Sequence, residues 1–401
     1  MKRVVVTGAG CITAIGHDVD SFRKNLFDGQ TGIGQLEDMP KDDLHFSKTA
    51  SVRGFVPADW LTNAQSKLAE RSSQFAIAAA RQALSSSDLM KAYSGENVAL
   101  IFGCSTGGRS AEEPETAKLY TQGGRVHPLT VPRSMACAGT SLVCMEHGIT
   151  GPAYTVSTAC ASAAHAIGQA FHMVRSGMVQ AAVTGGHEAP LTYGFLKAWD
   201  SLHVVSPTQC RPFAEDRDGM TLGEGAAVFT LETMDAAIAR GAPILAEIVG
   251  FGMSSDACHM TQANPAGPAS AMSRALTDAH ADPSEVGYVN AHGTGTEVND
   301  RVEAEAIHRT FGEFARTVAV SSTKSLHGHA MGASGAMELL ATMLTLQSGV
   351  LPAASCSATV DPKLHLDGVL QKNKALDTSL ALSNSFAFGG LNAVLAVRRY
   401  S

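Results

Sequence analysis

Short runs of β-branched residues alternate with Ala-rich helical patterns along almost the whole of this 401-residue chain. The strand-like runs are residues 4–7, 98–102, 154–157, 182–184, 226–231, 246–251, 288–290, 318–321 and 392–397. The helical patterns cover residues 71–84, 160–176, 233–240, 268–280, 299–311 and 333–348. Strands separated by helices of this length form parallel βαβ units, with helices on both faces of the sheet. The alternation therefore predicts an α/β fold.

No linker rich in Pro or Ser interrupts this alternation, and a weak change of composition lies near residues 241 and 242. Hydrophobic residues make up 45% of the chain, which is enough for a sizeable buried core. We therefore expect two closely packed α/β halves, residues 1–241 and 242–401, rather than domains on a flexible tether.

Charge and hydropathy argue against two broad classes of protein. The net charge of −7 disfavours nucleic-acid binding, which needs a basic surface. No apolar run approaches the ~20 residues of a membrane span. The opening residues, MKRVVVTGAG, lack the apolar region and the cleavage site of a signal peptide. The sequence thus predicts a cytoplasmic protein with no membrane span.

The glycine turn in VVVTGAG resembles part of a dinucleotide-binding fingerprint. It lacks the third glycine of that motif, and no acidic residue ends a second strand ~20 residues later. An NAD-dependent oxidoreductase is therefore the weaker interpretation, and a tight turn after a first strand is the stronger one.

Eight cysteines are present, at positions 11, 104, 137, 144, 160, 210, 258 and 356. None forms a CxxC pair or lies near a His at zinc-finger spacing, so neither a metal site nor a disulfide scaffold is expected. Cys160 differs from the others because it lies between a strand and an Ala-rich helix, in AYTVSTACASAAHAIG. A helix N-terminus favours a thiolate. This segment alone leaves two interpretations open, a nucleophile and a structural cysteine.

Two further segments place polar side chains after predicted strands. YVNAHGTGT contains His292, and VAVSSTKSLHGHAMGASG contains Lys324, His327 and His329. Catalytic groups of α/β proteins converge at strand ends, so these histidines favour a nucleophilic role for Cys160. The last segment, LSNSFAFGGLNAVLAV, predicts a strand–Gly-Gly–strand unit whose N–H groups could bind an oxyanion.

Five segments resemble, in this order, the signature segments of β-ketoacyl-acyl-carrier-protein (ACP) synthases I and II: TACASAAH, RDGMTLGEGA, NAHGTGTEVND, STKSLHGHAMGASG and NSFAFGGLN. The resemblance covers nearly the whole chain. It implies the thiolase-like fold, in which two βαβαβαββ halves form a five-layered αβαβα arrangement, and a homodimer. It also implies acyl transfer from acyl-ACP and then decarboxylative condensation with malonyl-ACP, which adds two carbons.

The same resemblance assigns roles to the catalytic residues. Cys160 becomes the acyl acceptor, and His292 and His329 become the pair that stabilises the enolate of malonyl-ACP. The family pattern selects His329 rather than His327, because the catalytic His directly precedes the Ala-Met-Gly run. The resemblance also identifies an active-site lysine with three supporting acids: Lys324, Glu338, Asp300 and Glu303.

Further implied roles concern the substrate. The N–H groups of Cys160 and Phe388 would form the oxyanion hole, and Phe388 matches a gating Phe that turns when an acyl chain enters. Thr294 and Thr296 match threonines that contact the phosphopantetheine arm of ACP. No bound cofactor is expected, since the thioester and the leaving carboxylate supply the carbanion.

Three substrate-side positions depart from the family pattern or bear on chain length. Leu391 replaces the usual Thr of GGTN, Met220 replaces the usual Phe of RDGF, and Thr106 lies where chain length is commonly set at the pocket floor. These residues predict an acyl specificity different from housekeeping fatty-acid elongation. The segment EAPLTYGFLKAWDSL also resembles nodulation-type and polyene-type ketosynthases.

Three related classes fit these residues less well. A degradative thiolase would have a second Cys in the last glycine-rich loop, which here reads FAFGGLN. A synthase III would have Asn in place of His329, and a non-catalytic chain-length factor would lack Cys160. A heterodimer of this chain with such a factor remains an alternative to the homodimer.

The carrier protein is acidic, so basic residues are expected where it docks. Lys67, Arg71 and Arg125 lie in segments that match the family's docking surface. Isolated solvated charges are an equally good interpretation of each.

Overall fold

The computed structural model describes residues 1–37, 43–353, 359–375 and 378–400, so Cys356 lies outside the described residues. The strands are β1 (Val4–Thr13), β2 (Gly34–Gln35), β3 (Lys48–Thr49), β4 (Val98–Gly103), β5 (Ala153–Val156), β6 (Ala181–Glu188), β7 (Gly225–Thr233), β8 (Ala246–Ser255), β9 (Val286–Asn290), β10 (Ala319–Ser321), β11 (Val350–Leu351), β12 (Lys374–Ala375), β13 (Leu380–Ala387) and β14 (Leu391–Arg398).

The helices are α1 (Val19–Phe27), α2 (Pro57–Trp60), α3 (Asn63–Leu68), α4 (Arg71–Ser87), α5 (Leu89–Ala92), α6 (Arg109–Gln122), α7 (Thr130–Ser134), α8 (Ala138–His147), α9 (Ser162–Ser176), α10 (Tyr193–Asp200), α11 (Met234–Ala239), α12 (Ala266–Asp278), α13 (Glu297–Phe311), α14 (Lys324–His327) and α15 (Ser334–Ser348). In this part of the chain, no helix is both long and apolar enough to cross a lipid bilayer.

The main sheet is built from two similar sets of five strands. Its order is β10-β9-β13-β14-β8-β1-β7-β6-β4-β5, and β1 meets β8 through a short antiparallel ladder from Val4–Ile248 to Val6–Ala246. Counted outward from this contact, β1-β7-β6-β4-β5 on one side corresponds to β8-β14-β13-β9-β10 on the other. This internal repeat is the one expected of a thiolase-like fold. The division at residues 241 and 242 stays a prediction.

The prediction of parallel βαβ units is correct for only part of the sheet. β4 is parallel to β5 and β6, and β9 is parallel to β10 and β13. The other pairs of the main sheet are antiparallel. For β13 and β14 the cause is local, because a turn of three residues joins them directly and a tight turn joins only antiparallel strands.

Helices α9 and α15 form the central layer between the two sets of strands. Helix α9 packs against β4 and β6 of one set and β8 and β14 of the other, and it also packs against α15. Helix α4 covers β1 and β7 on one outer face, while α12 covers β8 and β14 on the opposite face. The layers therefore alternate as αβαβα. The central layer is apolar because it meets a sheet on each side.

The six helices predicted from the sequence are present, with ends shifted by one turn or less. The shift that matters is at α9, because the helix begins at Ser162 and leaves Cys160 in the turn before it. Helix α10 was not predicted. Its eight residues are too few to show a clear helical period.

Replacement of Leu340 by Ala in α15 should lower the free energy of unfolding by about 2–5 kcal/mol, because the side chain is fully buried in the central layer. Ile238 in α11 is 57% exposed, so Ile238→Ala should change the free energy of unfolding by no more than about 0.5 kcal/mol. Urea unfolding followed by circular dichroism compares the two variants. Equal effects would contradict the central position of α15.

Candidate active site

Cys160 lies in a tight turn between β5 and α9, and its side chain is buried. The turn is fixed by Ser162, whose hydroxyl accepts a hydrogen bond from the N–H of Thr158 (2.9 Å) and donates one to the carbonyl of Ala159 (2.6 Å). Ala159 has a φ of +48°, a strained conformation for a residue with a Cβ. Such strain at the residue before the cysteine is typical of a functional site.

His329 reaches Cys160 from the loop between α14 and α15. Its Nε2 lies 3.1 Å from the Cys160 Sγ, and its Nδ1 lies 2.7 Å from the Ser334 Oγ at the start of α15. Two backbone hydrogen bonds fix this loop, from His329 N–H to the Thr221 carbonyl and from Gly223 N–H to the His329 carbonyl. The Cys160 sulfur, the His329 imidazole and the Ser334 hydroxyl therefore form one continuous chain of hydrogen-bond contacts.

His292 follows β9 and completes the group. Its ring centre lies 5.4 Å from that of His329, with the ring planes at 85°. The Lys324 ammonium lies 3.3 Å from the His292 Nδ1 and donates a hydrogen bond to the His292 carbonyl at 2.6 Å. An ammonium only donates, so Nδ1 accepts and the ring proton of a neutral His292 is on Nε2.

Lys324 and Glu338 form an ion pair that is completely buried. Burial raises the pKa of Glu338, and the Lys324 charge opposes that shift. Because removal of one partner would leave an uncompensated charge in the interior, the pair acts as a unit. Its position beside His292 agrees with the role expected for the lysine and its supporting acid.

The other two predicted acids support the backbone of the 292–295 turn. The Glu303 carboxylate accepts the N–H groups of His292 (2.8 Å) and Gly293 (2.7 Å), and Asp300 accepts that of Gly295 (3.2 Å). Both acids come from the first turns of α13. Burial raises the pKa of Asp300 and raises that of Glu303 to about 7.

Burial dominates the electrostatics of the three central side chains. It raises the pKa of Cys160 to about 12, although the Lys324 charge and the N–H groups of Cys160 and Phe388 oppose the shift. Burial also lowers the pKa values of His292 and His329 well below the usual range, and Lys324 adds to this effect. Burial therefore outweighs the preference for a thiolate that a helix start gives to Cys160. The site at rest holds a thiol and two neutral imidazoles.

Cys160, His292 and His329 line a cavity of about 510 Å³. Met220, Thr294, Thr296 and Phe388 also line it, as the sequence predicts for substrate-contacting residues. The threonine hydroxyls lie 2.9 Å apart. Phe388 lies at the turn between β13 and β14. Its N–H and the N–H of Cys160 both lower the pKa of the Cys160 thiol, against the larger effect of burial.

Thr106 is placed differently from the other substrate-binding candidates. It is absent from the described lining of this cavity, and its hydroxyl donates to the buried Glu188 carboxylate at 2.6 Å. Leu391 is half-buried at the start of β14, where it pairs with Ala387 across the hairpin. The effects of both residues on chain length or gating stay predictions.

Of the three candidate docking residues, two are free to meet a partner. Lys67 and Arg125 are exposed. Arg71 instead forms a bidentate ion pair with the buried Glu224 at 2.8 and 2.6 Å and donates to the Val52 carbonyl. These contacts favour a structural role for Arg71.

The donor set of Cys160, His292 and His329 also has the chemistry of a site for Zn²⁺. The three ligand atoms lie within 4.8 Å of one another, and they are the only such group of three or more among the residues that the structure describes. A metal there would bind the nucleophile itself. The observation therefore fits an inhibitory site as well as the metal-free site that the sequence predicts.

Two residues that contact the catalytic group were missed in the sequence. Ser334 positions His329, and a Ser in the first turn of the helical pattern over residues 333–348 was the available signal. Trp199 in α10 lines the cavity and stacks on Phe388. The scarcity of Trp, with two in the chain, could have drawn attention to it.

A buried cysteine beside two neutral histidines, held between repeated α/β halves, defines a thiolase-fold condensing enzyme. The sequence models of one family cover most of the chain. Residues 1–237 match the Beta-ketoacyl synthase, N-terminal domain, and residues 245–356 match the Beta-ketoacyl synthase, C-terminal domain. The chain therefore belongs to the β-ketoacyl synthase family, whose members are acyltransferases.

Similar proteins extend over the whole chain. Nodulation protein E of Rhizobium sp. (strain N33) is 38% identical, and 3-oxoacyl-[acyl-carrier-protein] synthase 2 of Staphylococcus aureus (strain COL) is 36% identical. The matches cover 99% and 100% of this chain and 99% of each relative.

Two solved structures show the same architecture. The ishigamide ketosynthase/chain length factor has a TM-score of 0.95 at 31% identity. AntDE:AntF, described as a type II polyketide synthase acyl-carrier protein in complex with its ketosynthase, has a TM-score of 0.90 at 27% identity. Each match covers 100% of both chains.

The raised pKa of Cys160 predicts the pH dependence of its alkylation. Below its pKa, the thiolate fraction of a thiol rises about tenfold per pH unit. The rate of Cys160 alkylation by iodoacetamide should therefore rise from about pH 6 to about pH 9 without a plateau. Mass spectrometry of the peptide that contains Cys160 measures this rate. A plateau near neutral pH would contradict the prediction.

Proposed function

We propose that this chain is a β-ketoacyl-ACP synthase that takes an acyl group from acyl-ACP onto Cys160 and condenses it with malonyl-ACP. The observation that carries the proposal is the 3.1 Å contact between Cys160 Sγ and His329 Nε2, with the neutral His292 beside it. The product is a β-ketoacyl-ACP two carbons longer than the acyl group that was loaded.

The first half-reaction loads the enzyme. His329 Nε2 accepts the thiol proton as the Cys160 sulfur attacks the thioester carbonyl, and the N–H groups of Cys160 and Phe388 stabilise the oxyanion. Collapse of the tetrahedral intermediate breaks the bond to the pantetheine sulfur. That sulfur takes the proton back from His329 and leaves as the thiol of ACP. His329 is needed as a base because the Cys160 thiol is still protonated when the thioester binds.

The second half-reaction forms the carbon–carbon bond. The malonyl group loses carbon dioxide, and the electron pair of the broken bond passes into an enolate. His292 donates its Nε2–H to the enolate oxygen, a tautomer favoured by the contact between Nδ1 and Lys324. His329 makes the same donation, because the Ser334 hydroxyl can either accept from or donate to its Nδ1. The enolate carbon then attacks the acyl group on Cys160 and displaces the thiolate, and a proton from solvent, which the condensation consumes, restores the thiol.

The substrate side of the site fits a thioester on a long arm. The cavity leads from the surface to Cys160, and Thr294 and Thr296 offer hydroxyls to the amides of phosphopantetheine. Apart from this carrier-borne group, no step needs an organic cofactor. The thioether of Met220 gives the acyl group an adaptable wall, which supports a specialised acyl specificity. The expected cytoplasmic location stays a prediction.

Octanoyl-ACP should acylate Cys160, and malonyl-ACP should then convert the adduct into a β-keto product. Intact-protein mass spectrometry, followed by peptide mapping, locates the adduct. Cys160→Ala should abolish both steps, because the nucleophile is lost. An adduct on another residue, or an undiminished product yield in Cys160→Ala, would overturn the proposed function.

His292→Ala separates the two half-reactions. His292 has no contact with the Cys160 sulfur in the first step, so acylation should stay within about tenfold of the parent rate. Loss of one enolate donor should reduce condensation by about 10²–10³-fold. Equal losses in both steps would contradict the separate role of His292.

We further expect a dimer, formed through strand β5. This strand is at one end of the main sheet, and its first two residues are exposed. Tyr154 is 37% exposed, and the helices packed nearby carry the exposed Val131 and Met145. An unpaired edge strand flanked by apolar side chains pairs readily with a second copy across a twofold axis.

Tyr154→Asp should weaken this dimer about tenfold or more, because the twofold axis brings the two added charges together. Light scattering at several concentrations measures the dissociation, and Ile238→Asp on the distant α11 is the control. A second arrangement is favoured by the ketosynthase/chain length factor to which the chain is similar. A wild-type monomer that condenses only after a chain-length factor is added would replace the homodimer by that heterodimer.

A further inference from the structure

Trp199 and Phe388 form an aromatic stack at the entrance to the cavity. Their ring centres lie 5.7 Å apart, with an angle of 20° between the ring planes. Both side chains line the cavity that ends at Cys160. The stack therefore lies on the path that any acyl group takes to the nucleophile.

The Phe388 and Trp199 rings differ in how many neighbouring contacts restrain them. Phe388 is 36% exposed and precedes Gly389 and Gly390, which have φ values of +84° and +71°. A Cβ at Gly389 would have no neighbour within 4 Å, so this side of the turn borders open space. The backbone of the turn is held by two hydrogen bonds, from the Gly389 N–H to the Met260 carbonyl (2.8 Å) and from the Asp256 N–H to the Gly390 carbonyl (2.9 Å), whereas the ring stack fixes the Phe388 side chain.

Trp199, by contrast, belongs to a well-anchored helix. Leu196 and Asp200 of α10 are buried, and Asp200 accepts hydrogen bonds from His45. The start of the helix is fixed by Glu113, which accepts from the Thr192 hydroxyl at 2.5 Å and from the Gly194 N–H at 2.7 Å. The indole therefore has a fixed position against which the Phe388 ring can rest.

The position of the Phe388 ring is linked to the oxyanion hole by covalent geometry. Ring and N–H belong to the same residue, and the preceding Ala387 packs against the apolar cluster that contains Cys160. Without the stack, the backbone hydrogen bonds of the turn would be the remaining restraint on this N–H, and its direction toward the sulfur would be less exact. Catalytic donors act only while they are held in place.

We propose that Trp199 is a positioning residue, whose stack on Phe388 acts together with the backbone hydrogen bonds of the 387–390 turn to present the Phe388 N–H to the acyl group on Cys160. The inference rests on the proposed function. A stack of this kind is worth about a two- to tenfold change in a rate or an equilibrium. The residue acts through Phe388 and takes no part in bond making.

The chain offers a direct spectroscopic report on this contact, because Trp60 and Trp199 are its only tryptophans. In a Trp60→Phe background, all tryptophan emission comes from Trp199. Phe388→Leu in that background should shift the emission to longer wavelength, because the indole loses its ring partner and gains water. Unchanged emission would overturn the inference.

A double-mutant cycle tests the effect on the reaction. The acylation of Cys160 by octanoyl-ACP is followed by rapid quench and mass spectrometry in Trp60→Phe and in the added variants Trp199→Leu, Phe388→Leu and both together. Each single change should slow the rate at saturating octanoyl-ACP by about two- to tenfold. The octanoyl-ACP concentration that gives half of the maximal rate should change less. The double variant should be no slower than the slower single variant, because the two residues act through one contact. Trp199→Phe should restore most of the rate.

The outcomes separate this inference from the proposed function. Normal acylation of Cys160 in Trp199→Leu, or losses that multiply in the double variant, would overturn the role of Trp199 and leave the proposed function intact. Failure of the Trp60→Phe parent to form any adduct on Cys160 would overturn both.

Discussion

Helices α9 and α15 pack against each other at the centre of the molecule, and the cluster of Cys160, His292 and His329 lies near their N-terminal ends. Cys160 lies in the turn before α9, and Ser334 and Glu338 lie in the first turns of α15. Through the Ser334 hydroxyl and the Glu338 carboxylate, α15 positions His329 and Lys324. The nucleophile and its partners come from different halves of the chain, so the packing of two buried helices sets the distances between them. Close-packed interiors deform little, which makes this an accurate way to position them.

The same burial determines how the chemistry can proceed. It disfavours charge on the cysteine and on both histidines, so a preformed thiolate–imidazolium pair is not stable at rest. Charge must instead develop during reaction, next to donors that are already in place. Lys324 and Glu338 face each other as an ion pair in this interior. A buried pair of this kind adds little stability compared with apolar residues, which favours a functional reason for its presence.

Much of the fold and the central chemistry could be predicted from the sequence, since both depend on local patterns. Helices such as α9 and α15 have clear apolar periods, and the segments around Cys160, His292 and His329 are short and distinctive. The features that could not be predicted depend on distant contacts. The Cys160 pKa depends on burial by both halves, the antiparallel pairs depend on how strands are connected, and Arg71 is occupied by Glu224 from far along the chain. No local pattern contains that information.

Strain around the site follows from the same arrangement. Ala159 and Met331 have φ values of +48° and +44°, and they lie next to Cys160 and two residues after His329. Such conformations cost about 1–3 kcal/mol each and persist only where the surroundings fix them. Here Ser162 fixes the first turn, and Glu188 accepts the N–H of Gly332 beside the second. At the entrance, backbone hydrogen bonds hold the glycine turn, while the Phe388 ring is partly exposed and stacks on Trp199. The backbone around the cluster is thus fixed throughout, and the least restrained group beside the cavity is a side chain.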